Sequence, residues 1–171
     1  KRGDIIASAL TNLDIHDISR AAKTYGVKSF FVVTPLSDQQ VLAKKIIAHW
    51  TVGAGAAYNP DRRSAFELTK VKDSIKDVVK DIENIENRFP KTITTCARRY
   101  PTSIGYPELR DILAGGLPHL LIFGTAWGLA ESVISGADFL LEPITGATDY
   151  NHLSVRSAVS IILDRLLRPG K

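Results

Sequence analysis

The chain has 171 residues, 44% of them apolar and 23% charged, with a net charge of +4 and one cysteine, Cys96. That length allows one buried α/β core and is too short for two ordinary domains. A lone cysteine excludes an internal disulfide framework and suits a reducing compartment, so the expected location is the cytoplasm.

No apolar run nears the roughly 18 residues of a membrane helix, so no membrane partner is expected. The start, Lys1-Arg2-Gly3-Asp4, lacks a secretory-signal pattern. Methionine is absent even at position 1, and the chain is expected to be trimmed. The modest positive charge permits nucleic-acid binding without requiring it.

In chain order, residues 17–25 carry apolar positions at helical spacing and stop at Gly26, a C-cap signal. Residues 28–34 (KSFFVVT), closed by Pro35, predict a buried strand. Ser37 is expected to cap a helix running through Val41, Leu42, Ile46 and Ile47 to about Trp50. The Gly-rich run 51–60 (TVGAGAAYNP) reads as a loop, and Asp61 as the cap of a helix through Phe66 and Leu68. A further helix from Ser74 repeats Ile75, Val78, Val79, Ile82 and Ile85 at three and four residues until Pro90 ends it.

Three more strands are predicted. Residues 92–97 precede a helix with Pro107 near its first turn and Gly115–Gly116 at its end. Residues 119–123 run into a Gly124–Gly128 turn and a helix through Ala130 and Ile134. Residues 139–144 lead through a polar loop into a final helix, 153–167. No repeat or linker interrupts this order, so residues 1–171 read as one domain. Short apolar strands alternating with helices predict an α/β fold, a parallel sheet with helices on both faces and right-handed crossovers.

In an open parallel sheet, ligands bind outside the carboxyl ends of the strands. Two loops there have unusual composition. Gly124-Thr125-Ala126-Trp127-Gly128-Leu129 has glycines where backbone can approach a ligand, although a plain strand-to-helix turn is equally consistent. Its Gly-x-x-x-Gly spacing matches neither the dinucleotide fingerprint nor a P-loop. Residues 142–154 (EPITGATDYNHLS) are rich in hydrogen-bonding groups. Their simplest reading is a helix start at Asn151 or His152, with Asp149 near the positive end. Coming in succession, the two loops favour one shared pocket. Four scattered histidines and one cysteine give no metal-ligand spacing, so no metal is expected.

The segments 121–129 (LIFGTAWGL) and 149–158 (DYNHLSVRSA) resemble the last two motifs of the SPOUT methyltransferases. The likeness is strongest to a bacterial branch of S-adenosylmethionine-dependent RNA methyltransferases related to the tRNA guanine-N1 methyltransferases. Residues 10–18 (LTNLDIHDI), Arg20, 24–27 (TYGV), 47–50 (IAHW) and 58–62 (YNPDR) extend it over nearly the whole chain. The resemblance implies a C-terminal deep trefoil knot holding S-adenosyl-L-methionine bent. Gly124, Thr125 and Gly128 would line one side, with Leu141, Glu142, Pro143 and Ile144 beneath the adenine. Asn151, His152, Leu153 and Ser154 would close the third wall. It implies a homodimer with the last helix at its interface, an RNA substrate (tRNA or rRNA), and one further strand upstream of Lys1. Ribose-methylating members carry a glutamate in the glycine motif and an asparagine before the last Ser-Val pair. Alanine or tryptophan and His152 stand there here, which weakens a ribose 2′-hydroxyl assignment.

Methyl transfer from a sulfonium needs alignment, exclusion of water and a group to take the acceptor's proton. Arg20, His152 and Arg156 are the catalytic candidates. Arg20 is similar to the first-motif arginine of the ribose-methylating enzymes, but an arginine is a poor base and a good phosphate anchor. His152 is a candidate as base or as hydrogen-bond partner of the acceptor. His16 and Asp17 read first as helix-start residues. Arg20, Tyr58, Arg62, Arg63, Arg98 and Arg99 are candidates for RNA contact, basic doublets with tyrosines (Tyr58, Tyr100) nearby. Trp50 and Trp127 read as core or interface anchors. The expected function is methyl transfer to a base nitrogen or ribose oxygen of RNA. The alternative is a non-catalytic RNA-binding dimer that keeps the fold, motivated by the missing acid in the glycine motif.

Overall fold

Helix α1 (Asn12–Thr24) begins at Thr11, whose hydroxyl accepts from the Asp14 amide at 3.2 Å. The cap sets the start, so the helix is longer than the predicted 17–25, and His16 and Asp17 lie inside it rather than at its beginning. These coordinates come from a computed structural model that describes residues 7–169. Lys1 to Asp4, read above for a signal pattern, lie outside the described residues.

The chain divides into two compact units, Lys1–Val78 and Val79–Lys171. In the first, β1 (Phe30–Val33) is followed by α2 (Ser37–Thr51). Leu36 occupies the cap position of α2 without a side-chain bond, so Ser37 is the first helical residue and not the cap. The predicted loop 51–60 contains a short helix, α3 (Ala54–Tyr58), packed on α2. Gly55 makes that packing possible, since a Cβ there would lie 2.7 Å from the Trp50 ring. Asn59, not Asp61, caps α4 (Pro60–Phe66), accepting from the Arg62 amide at 2.9 Å, and Pro60 opens the helix where no N–H is needed. A strand that falls in the interval left unassigned between the two predicted helices follows, β2 (Thr69–Lys72), which pairs parallel with β1 from Phe30–Thr69 to Val33–Lys72.

Ile15, Val32, Ala43 and Phe66 form the buried centre of this unit, with Trp50 and Val71 packed around it. The buried hydroxyl of Ser19 donates to Ile15 O at 2.6 Å and shares a 2.8 Å hydrogen bond with Thr69 Oγ1, so neither polar group is buried without a partner. Helix α5 (Ile75–Glu86) runs across the division between the units.

The second unit contains β3 (Lys91–Thr95), β4 (Ser103–Ile104), α6 (Tyr106–Ala114), β5 (His119–Ile122), α7 (Glu131–Ser135), β6 (Phe139–Leu141) and α8 (Val155–Leu167). Its sheet has the order β4-β6-β3-β5 with every pair parallel. The parallel α/β expectation therefore stands, but the strands form two sheets and not the one expected, with β2 and the two-residue β4 added. Ile93 and Leu141 from the sheet pack with Tyr106 and Leu109 of α6 and Ile162 and Leu166 of α8. Ser154 caps α8, accepting from the Ser157 amide at 3.4 Å, so the helix starts after Asn151 and His152. No helix among the described residues is long and apolar enough to cross a membrane.

Candidate functional site

Because β3, β5 and β6 run parallel, the segments that follow them leave the sheet at one edge. The turn after β5 folds back on itself. The Gly128 amide donates to Thr125 O at 2.9 Å, and a Cβ on Gly124 would lie 2.6 Å from the Gly128 carbonyl carbon and the Leu129 nitrogen. Ala126 (φ 50°) and Gly128 (φ 90°) are in the left-handed region. Nothing lies within 4 Å of a Cβ built on Gly128, so its constraint is the backbone angle, while that side of the turn is open. Trp127, at the tip, is 76% exposed and is not a core residue.

Residues 96–100 tie the other loops to α7, the helix that follows this turn. Asn151 Nδ2 donates to Ala97 O at 2.6 Å. Arg99 Nη2 donates to Glu142 Oε2 at 3.1 Å, and the Tyr100 hydroxyl donates to Glu131 Oε2 at 3.1 Å. Arg98 lies 3.9 Å from the same Glu131 carboxylate and 5.7 Å from the Tyr100 ring. Leu141 and Pro143 are buried and Ile144 packs on the core, while the Glu142 amide donates to Ile104 O at 2.9 Å. Residues 141–144 are thus fixed at the carboxyl end of β6. His152 and Leu153 are exposed, His152 with its ring edge-on to Tyr150 at 5.7 Å. Ser154 and the half-buried Arg156 stand at the first turn of α8.

Sequence reasoning missed Glu131 and left Tyr100 only as a neighbour of Arg99. An acid in the first turn of a helix reads locally as dipole compensation, and only the fold brings residue 100 to it. Arg98 and Arg99, singled out as a doublet, grip two different carboxylates at the sheet edge.

In the first unit, a cleft of about 430 Å³ is lined by Arg20, Lys23, Asp61, Arg62 and Ser64 among others. Arg20 projects from α1 and is exposed. The Arg62 guanidinium lies 4.4 Å over the Trp50 ring. Arg63 instead pairs with Glu67 on the exposed surface at 2.9 Å, and Tyr58 is 87% exposed; neither lines the cleft. His16 packs edge-on against Trp50 at 5.4 Å and Phe66 at 4.8 Å. Burial, and then the Arg62 charge, lower its pKa, so the imidazole is neutral at neutral pH. Trp50 is the core anchor its sequence context predicts.

Solved structures share this architecture. A probable methylase family protein from Haemophilus influenzae Rd KW20 superposes with a TM-score of 0.65 at 21% identity, over 93% of this chain and 61% of that one. The SpoU methyltransferase AviRb from Streptomyces viridochromogenes, in complex with the cofactor AdoMet, gives 0.58 at 17% identity, over 98% and 60%. At these identities the shared property is the fold, that of the SpoU-type methyltransferases. The sequence goes further: the chain belongs to the SAM-dependent RNA methyltransferase family, whose profile matches residues 1–168. An uncharacterized protein of Aquifex aeolicus is 38% identical over 97% of this chain and 82% of its own length. A tRNA (guanine-N(1)-)-methyltransferase of Oleidesulfovibrio alaskensis is 41% identical over 98% of this chain, which spans only 39% of that relative's length.

Proposed function

We propose that this chain transfers a methyl group from S-adenosyl-L-methionine to RNA, a tRNA or an rRNA, at a base nitrogen or ribose oxygen. The observation that carries this reading is the turn 124–128, sealed at Gly124 and open at Gly128, at the carboxyl edge of a parallel sheet. That open side fits a ligand approached by backbone. Gly124, Thr125 and Gly128 would hold it on one side, Leu141, Glu142, Pro143 and Ile144 from below, and Asn151, His152, Leu153 and Ser154 on the third side. When bound, the cofactor supplies an electrophilic methyl on a sulfonium.

The side chains then have separable tasks. Asn151, fixed to Ala97 O, keeps the last loop against the sheet edge. His152, exposed on that loop, takes the acceptor's proton. Arg156, at the start of α8, serves the same step. Arg20 anchors RNA phosphate, with Tyr58, Arg62, Arg63, Arg98 and Arg99 as further RNA contacts.

A trefoil knot and helices on both sheet faces belong to this reading; β6, last of the strands, lying between β3 and β4 supports it. The exposed apolar residues Tyr150, Leu153 and Leu167, around α8, support a homodimer. The family match across residues 1–168 supports one functional domain, working in the cytoplasm. No observation favours a non-catalytic RNA-binding dimer.

Titration calorimetry with S-adenosylmethionine, followed by label transfer to total tRNA and rRNA, tests the proposal. Saturable cofactor binding and labelled RNA are expected. Arg20→Ala should abolish transfer and leave cofactor affinity unchanged, because Arg20 is not among the cofactor-loop residues. Absence of cofactor binding at millimolar ligand would end the proposal.

A further inference from the structure

We infer that the cleft of the first unit is a subsite for one backbone phosphate of the RNA, gripped by Arg20, Lys23 and Arg62, with Trp50 positioning Arg62. The inference rests on the RNA reading above and narrows it to named atoms. Three cations and one carboxylate, Asp61, line the cleft. Among the described residues no ion pair engages Arg20, Lys23 or Arg62, whereas Arg63, the other half of the doublet, is committed to Glu67. The imidazole beside them, His16, is neutral at neutral pH and neither adds to nor offsets their charge.

Arg62 is held in an unusual way. Its Nε is buried and has no hydrogen-bond partner, so stacking on Trp50, rather than a polar contact at that atom, fixes the guanidinium. A stacked guanidinium keeps its planar fork of donors for phosphate oxygens, and it loses little freedom on binding because the ring has already oriented it. Trp50 in turn cannot swing away. Gly55 backs onto it closely enough that a Cβ would sit 2.7 Å from its ring, His16 is edge-on at 5.4 Å, and Phe66 lies at 6.2 Å. This gives a task to the 47–50 and 58–62 segments, which the cofactor loops leave without one: the first supplies the ring, the second the cation stacked on it.

Trp50 reports on its own site. With Trp127→Phe as background, Trp50 is the sole indole and its emission follows the stacked cation. Inorganic pyrophosphate and a short single-stranded oligoribonucleotide should each change that emission saturably and compete with one another. Arg62→Ala should abolish the change. In the unaltered chain, Arg62→Ala should weaken oligoribonucleotide binding about tenfold and lower the log–log salt slope by about 0.7, while Lys45→Ala, an exposed cation of α2 outside the cleft, stays within about twofold. Cofactor affinity should not move in either variant.

Trp50→Phe keeps a ring for stacking and should retain most of the RNA affinity, whereas Trp50→Leu, shown folded by circular dichroism, should bind like Arg62→Ala. An unchanged emission with both ligands, equal losses in Arg62→Ala and Lys45→Ala, or pyrophosphate binding that RNA does not displace would each overturn the subsite. An intact emission response with no methyl transfer to any RNA would instead sink the methyltransferase reading and leave the subsite standing.

Discussion

Gly124 and Gly128 bracket one turn, yet each is a glycine for its own reason. Gly124 has backbone 2.6 Å from where a Cβ would be, and backbone cannot step aside cheaply. Gly128 has space around it and an unfavourable φ of 90°. Gly124→Ala should therefore lower stability by about 2–3 kcal/mol and lose cofactor binding. Gly128→Ala should lower stability by only about 1 kcal/mol. Urea denaturation and calorimetry on both variants check that order.

At the other end of the sheet, Asp138 accepts from Lys91 Nζ at 2.7 Å, the Thr92 amide at 2.8 Å and Thr92 Oγ1 at 2.9 Å. The Lys91 bond first, and then the Thr92 amide, hold its pKa at about 2, below the ordinary 3.8. A depressed carboxyl pKa means stability that is fully present above pH 3.8 and disappears as pH falls through about 2. Asp138→Asn should lower stability by about 1 kcal/mol at neutral pH, after allowance for solvent screening of this partly exposed group. Urea midpoints of the two proteins should converge by pH 2.

At the scale of elements, α4 depends on one side chain. Asn59→Ala removes the bond to the Arg62 amide and should cost about 1 kcal/mol in thermal unfolding. Because α4 carries Arg62, RNA affinity should fall in the same variant. The apolar runs of β1, β5 and β6 were legible, as were the β-branched residues of β3 and the three-and-four spacing of α5, since burial of a continuous face leaves a local pattern.

Ser37 and Asp61 misled because several capping residue types adjoin each helix start, and only backbone conformation decides which one caps. The run KVK of β2 looks too charged for a strand, and it becomes one by pairing with β1. Ser103 and Ile104 form β4 only because β6 lies alongside. The glycine turn and the last loop were readable as motifs. The Tyr100–Glu131 bond joins residues 31 positions apart, the Arg62–Trp50 stack likewise joins separate helices, and no local signature exists for either.

Taken as a whole, the molecule places one half-buried histidine in each unit. Burial, as the leading cause, lowers the pKa of both His16 and His119 from 6.5. The unfolded chain then binds more protons than the folded one just below pH 6.5, so stability is complete above that pH and declines as pH falls through the folded-state values. Urea midpoints should drop between neutral pH and about pH 5, and His16→Gln with His119→Gln should flatten that decline.

The place of β6 also bears on how the protein is made. As the chain leaves the ribosome, β3, β4 and β5 are complete before residue 139 has been synthesised, yet the central position between β3 and β4 is reserved for β6. Until it arrives, β4 has no neighbouring strand and an apolar slot stays open to nascent-chain binders. The second unit therefore matures in one late event, and a chain broken off before residue 139 is a ready client for a chaperone.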